Sequence, residues 1–146
     1  MIDPLRHADS RLFAVEGNEV TSYSYGQGDE VLFLLNGGPG LPCNYLRDPL
    51  LALVDAGYRV VTYDQLGTGQ SDQPTDPALW TIGRYRDEVE TVRRALGIGR
   101  MHLLGHSWGG WLGIEYALAY PDALKTIILS GSSSGCAAIS APRRSR

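Results

Sequence analysis

Four short segments are apolar at nearly every position: Val31-Leu-Phe-Leu-Leu35, Arg59-Val-Val-Thr-Tyr63, Met101-His-Leu-Leu104 and Thr126-Ile-Ile-Leu129. Runs of this kind suit strands covered on both faces. Between them the pattern changes to a helical one. Tyr45–Ala56 predicts a helix stopped by Gly57. Thr81 can cap a helix running to Leu96, with Tyr85, Val89, Val92 and Leu96 on one face and Gly97 after it. Trp108–Tyr120 predicts a third helix, ended by Pro121. Strands alternating with helices indicate an α/β protein, a parallel sheet with helices on both faces. Ahead of it, Leu12–Val15 and Glu19–Tyr25 flank Gly17-Asn18, which predicts an antiparallel hairpin. From Ser130 the periodicity is lost in Ser, Gly, Ala and Arg. One partial domain over 1–134 and a disordered tail over 135–146 are expected.

Composition narrows the function. The chain has 146 residues and a net charge of −3, which argues against a nucleic-acid binder driven by a basic surface. The apolar run Val31–Leu35 is far short of the roughly 20 residues a membrane helix needs, so no membrane span is expected. The N-terminus lacks the apolar stretch of a signal peptide, and a cytoplasmic location follows as the default. Cys43 and Cys136 are too far apart for a metal site or disulfide framework, so neither metal nor cofactor is expected.

The candidate chemistry lies in Gly105-His106-Ser107-Trp108-Gly109-Gly110, which matches the Gly-x-Ser-x-Gly nucleophile elbow. The bare pattern is weak, and Gly131-Ser132-Ser133-Ser134-Gly135 matches it too. Context separates them. An elbow leaves a strand, turns sharply and enters a helix, with the serine strained at the tip and Gly105 and Gly109 letting neighbouring backbones pass. Ser107 has a strand before it and a helix after it. Ser133 is followed by 11 residues after Gly135, Pro142 among them, and no long helix fits there. At such an elbow the Trp108 amide faces a developing oxyanion. A second donor is expected from Asn36-Gly37-Gly38-Pro39-Gly40, the loop after the first buried strand. The segment Asp64–Asp72 follows the second buried strand. Its Gly67-x-Gly69 lacks the third glycine of a dinucleotide loop and opens no helix, so a scaffolding role is predicted.

These three motifs in this order resemble the proline iminopeptidase family of α/β-hydrolases. The matching residues are Gly37-Gly38-Pro39-Gly40, Asp64–Ser71 and Gly105–Gly110, and the likeness covers about residues 10–134. The resemblance implies the N-terminal part of an α/β-hydrolase fold. It implies Ser107 as nucleophile and Gly38 (or Gly37) with Trp108 as oxyanion donors. The implied substrates are small peptides, from which an N-terminal proline or similar residue is released, or small amides and esters.

Two departures stand out. Asn36 occupies the position where the family has histidine. After Ser107 no histidine follows, although the triad order of this fold is Ser, then Asp or Glu, then His. Of the three histidines, His7 reads as surface, His102 as core, and His106 as part of the elbow, pointing away from Ser107. Asp122 is a poor match for the triad acid. The family's helical cap and later strands are also missing. The resemblance therefore implies a truncated or frameshifted hydrolase with little turnover alone; the alternative is a non-catalytic fragment or interaction module. The strand at 126–129 is expected at an exposed edge, inviting self-association.

Overall fold

The computed structural model describes residues 8–132. The expected tail over 135–146, the second motif match at Ser133, His7 and Cys136 lie outside the described residues. One six-stranded sheet runs through the molecule. Its strands are β1 (Asp9–Val15), β2 (Asn18–Tyr25), β3 (Glu30–Leu35), β4 (Tyr58–Tyr63), β5 (Met101–His106) and β6 (Leu124–Ser130), in the order β1-β2-β4-β3-β5-β6. β1 and β2 form the predicted hairpin, and β2 joins β4 antiparallel. From β4 through β3 and β5 to β6 every pairing is parallel.

Alternation along the parallel strands divides the core. Phe33, Leu35, Val61, Tyr63 and Leu103 face helices α2 (Ile82–Ala95) and α3 (Trp108–Ala119). Leu32, Leu34 and Val60 face helix α1 (Asn44–Leu50) and the 3-10 turn Leu51–Val54. Both faces of β3 and β4 are thus covered, which is why these strands read as continuously apolar.

Two expectations need correction. The helix predicted over 45–56 is α for only Asn44–Leu50, and the chain then tightens into the 3-10 turn. Pro49 lies inside that helix, and its ring and missing N–H oppose further regular α turns. His102 is not in the core. Its ring sits on the partly open face of β5, with Nε2 2.7 Å from Glu30 Oε2 and Nδ1 2.7 Å from the Thr126 hydroxyl. The remaining boundaries shift by a few residues at most. The Thr81 hydroxyl caps α2 by accepting from the Arg84 amide at 3.2 Å, and Gly97 closes its far end at φ +68°.

Helices α2 and α3 are joined by a polar contact as well as by their apolar faces. The Tyr116 hydroxyl donates to Glu90 at 2.6 Å, and Arg93 and Arg94 pair with the same carboxylate. β6 forms one edge of the sheet, with Ile127, Ile128 and Leu129 between 37% and 48% exposed. No described helix is long and apolar enough to cross a membrane.

Glu90 gives a pH test. Burial opposes its charge, but donors from Arg93, Tyr116 and Arg94 outweigh it and hold the carboxyl below the usual glutamate range. A depressed native value means stabilisation that is complete above the ordinary range and lost as pH falls through the native value. Glu90→Gln should cost about 1–3 kcal/mol at pH 7, with the deficit shrinking as the pH falls below the ordinary glutamate range; urea denaturation at the two ends of that window measures it.

Candidate active site

Ser107 stands alone at the junction of β5 and α3. Its backbone takes φ 55°, ψ −117°, a region that L-residues other than glycine rarely adopt, and the residue is exposed. Three contacts hold it there. Its amide donates to the Ser130 carbonyl at 2.9 Å, tying the turn to β6. Its carbonyl accepts from the Gly110 and Trp111 amides, so helix α3 winds up directly behind it. The first helical amides, beginning with Trp108, have no intrahelical partner and give the turn its positive end.

The flanking glycines are sterically required. A Cβ on Gly105 would overlap the Gly109 carbonyl and the Gly110 Cα. A Cβ on Gly109 would overlap the Leu35 carbonyl. The first turn of α3 therefore lies against the carboxyl end of β3, where the glycine loop begins. That loop is pinned from within and from outside. Asn36 is buried, and its Nδ2 donates to the Leu41 and Gly37 carbonyls at 2.7 and 2.9 Å. Asn36 thus closes the loop from its first position. The Gly37 amide donates to the Tyr45 hydroxyl at 2.5 Å, and that hydroxyl lies 2.7 Å from His106 Nδ1. Gly38 follows with φ +132°, a conformation in which a side chain would meet the Gly40 and Leu41 amides.

The Asp64–Asp72 loop forms the floor. Asp64 is buried, and its carboxylate accepts from the Tyr23 hydroxyl (2.9 Å), the Gln70 amide (3.0 Å) and the Cys43 amide (3.2 Å). Burial and the nearby Asp64 push the Tyr23 hydroxyl above its usual range, so it stays a donor. Gly69 sits at φ +50° against the Asp64 carboxyl, where a Cβ would overlap it. Ser71 Oγ donates back to the Asp64 carbonyl at 2.5 Å and accepts from the Thr21 amide. Next in the loop, Gln65 Oε1 accepts from the Trp108 indole at 3.1 Å. The Leu66 amide donates to the buried Glu88, which also pairs with Arg84 at 2.6 Å. Burial raises the Glu88 carboxyl despite these donors.

Tyr45 and Gln65 were not singled out in the sequence. Tyr45 looked like one more helical residue, and Gln65 one more member of a loop. Of the remaining candidates, Asp122 lies apart, exposed in the 3-10 turn Pro121–Ala123. Among the described residues no histidine hydrogen-bonds the Ser107 hydroxyl, and no group of His, Cys, Asp or Glu could hold a metal ion.

A family profile for the alpha/beta hydrolase fold matches residues 30–144. The proline iminopeptidase of Heyndrickxia coagulans is 38% identical over 118 residues, which are 80% of this chain and 40% of that protein. The proline iminopeptidase of Elizabethkingia meningoseptica is 44% identical over 101 residues, 68% of this chain and 34% of its own. Among solved structures, the proline iminopeptidase of Mycobacterium smegmatis superposes with a TM-score of 0.78 at 34% identity, covering 85% of this chain and 44% of that one. An epoxide hydrolase from Vigna radiata superposes with a TM-score of 0.78 at 28% identity, covering 86% and 40%. The chain spans about two fifths or less of the length of these two curated relatives.

The strained backbone at 107 and the close packing at 109 make predictions for three small substitutions. Ser107→Gly should raise stability over Ser107→Ala by about 1 kcal/mol, since glycine adopts this conformation without strain. Gly109→Ala should cost more than about 3 kcal/mol, because helix α3 must move off β3 to admit the methyl group. Thermal denaturation of the three variants measures both.

Proposed function

The chain belongs to the alpha/beta hydrolase fold family, and from that premise we propose that it carries the nucleophile and oxyanion donors of a serine hydrolase acting on small peptides, amides or esters. Release of an N-terminal proline or similar residue is the reaction of first choice, on the likeness to the proline iminopeptidases. The observation that carries the reading is the backbone of Ser107, at φ 55° between a buried parallel strand and the start of α3.

In this reading Ser107 Oγ attacks the substrate carbonyl and forms an acyl-enzyme, releasing the amine or alcohol. Water then frees the acyl group. The developing oxyanion is held by the amides of Trp108 and Gly38. Gly38 is preferred to Gly37 because the Gly37 amide already donates to Tyr45. A hydroxyl at 107 favours acyl transfer over epoxide opening, which in this fold starts from a carboxylate.

The serine proton needs an acceptor. His106 lies against Tyr45, and His102 lies between Glu30 and Thr126, so neither is assigned that role. Oxyanion donors without a base leave only residual catalysis. Slow acylation that a small external base accelerates is therefore expected.

A fluorophosphonate probe tests this. An adduct on Ser107 should be found by mass spectrometry. It should form faster when imidazole is added, and it should be absent in Ser107→Ala. No adduct at Ser107, or equal labelling of the alanine variant, would refute the assignment. Release of proline from a proline amide, compared with hydrolysis of a simple ester under the same imidazole supplement, separates the peptidase from the esterase reading.

A further inference from the structure

Beside the Ser107 turn lies an open cavity of about 520 Å3 whose walls come from every loop at the carboxyl ends of β3, β4 and β5. Pro39 and Gly40 of the glycine loop form one side, and Leu66 lies in the wall with them. Trp80, Tyr85, Trp108 and Trp111 supply the aromatic surface. No charged side chain lines it.

Trp108 meets both Tyr85 and Trp111 edge to face. Tyr85 and Trp108 have centroids 5.6 Å apart at 81°, and Trp108 and Trp111 lie 5.2 Å apart at 88°. Trp80 stacks on Tyr85 at 6.2 Å. The polar atom of the Trp108 ring is occupied, since its indole N–H donates to Gln65. Arg84 pairs with Glu88, donates to the Leu79 carbonyl and lies with its guanidinium 4.3 Å from the centroid of the Tyr85 ring. What the cavity offers is aromatic surface with the Arg84 cation against Tyr85 and no carboxylate in its lining, a surface suited to an uncharged aromatic ring and not to a second cation.

Its position relative to the attacked carbonyl gives it a role. Trp108 contributes its backbone amide to the Ser107 turn and its ring to the cavity wall. The loop that carries Gly38 continues directly into Pro39 and Gly40. A group attached to a carbonyl held between those amides is therefore next to the cavity. We propose that this cavity is a substrate subsite that takes an uncharged aryl group adjoining the carbonyl attacked by Ser107. The inference rests on Ser107 being the nucleophile, but binding to the cavity can be read without catalysis.

The chain has three tryptophans, and all three line this cavity, so tryptophan fluorescence reports on it. Three ligands of nearly one shape discriminate the proposal: benzamide, which is neutral and aromatic; benzamidine, which is cationic; and cyclohexanecarboxamide, which is neutral and not aromatic. Benzamide should change the emission saturably, with a Kd of roughly millimolar order for so small a ligand. It should bind at least tenfold more tightly than benzamidine and more tightly than the cyclohexyl amide. Trp111→Leu should weaken benzamide tenfold with an unchanged far-ultraviolet circular dichroism spectrum. If that variant fails to fold, Trp80→Leu, at a ring 41% exposed, serves in its place.

Equal binding of benzamide and benzamidine, or no saturable change with benzamide, would overturn the subsite. The two readings fail separately. Fluorophosphonate labelling of Ser107 without benzamide binding refutes the subsite alone. Benzamide binding without labelling leaves an aryl site and refutes the nucleophile.

Discussion

Helix α3 begins so close to the end of strand β3 that no methyl group fits between them. That crowding at Gly109, together with the packing of Gly105 against the first turn of α3, is the constraint on which the site depends. It sets the Ser107 turn against the glycine loop. It makes the chain reverse within one residue, and it leaves that residue in a left-handed conformation that serine adopts only under pressure from its surroundings. The bonds to Ser130, Gly110 and Trp111 supply that pressure. The strain at 107 and the tight packing around it are two aspects of one arrangement, since relaxing either would withdraw the hydroxyl from the surface.

A second layer of order comes from polar groups that are buried and paired. Asp64 gathers donors from β2, from the start of α1 and from its own loop, so a single carboxylate fixes three parts of the chain that are distant in sequence. Glu88 does the same for the Leu66 amide and Arg84. Unpaired, either group would cost several kcal/mol in such surroundings, so each specifies where its loop must lie. The aromatic cavity stands on this frame: Gln65 orients Trp108, and Leu66 and Thr68 lie in its wall.

Much of this was legible in the sequence. Continuous apolar runs located β3 and β4 because burial on both faces leaves no polar alternation to confuse them, and β5 and β6 read the same way although β5 is partly open on one face and β6 is exposed at the edge. Thr81 and Gly97 marked the ends of α2 through capping chemistry that is local. The turn at Ser107 was legible because an apolar run precedes it and a helical pattern follows it. What escaped depends on contacts between distant segments. His102 read as core because its neighbours in the chain are apolar, yet Glu30 and Thr126, 72 and 24 residues away, give its ring polar company. Tyr45 gave no signal because its hydroxyl acts only once α1 is placed beside β5. The shortened α1 could have been anticipated from Pro49.

The same packing determines where the molecule can accept new sequence. Around 36–38 and 105–110, side chains, carbonyls and amides leave no slack, and an inserted residue would force strand and helix apart. The turn at Gly17 is different, since a side chain there would meet open space. Diversification of such a scaffold is therefore channelled to its periphery, away from the backbone that presents Ser107.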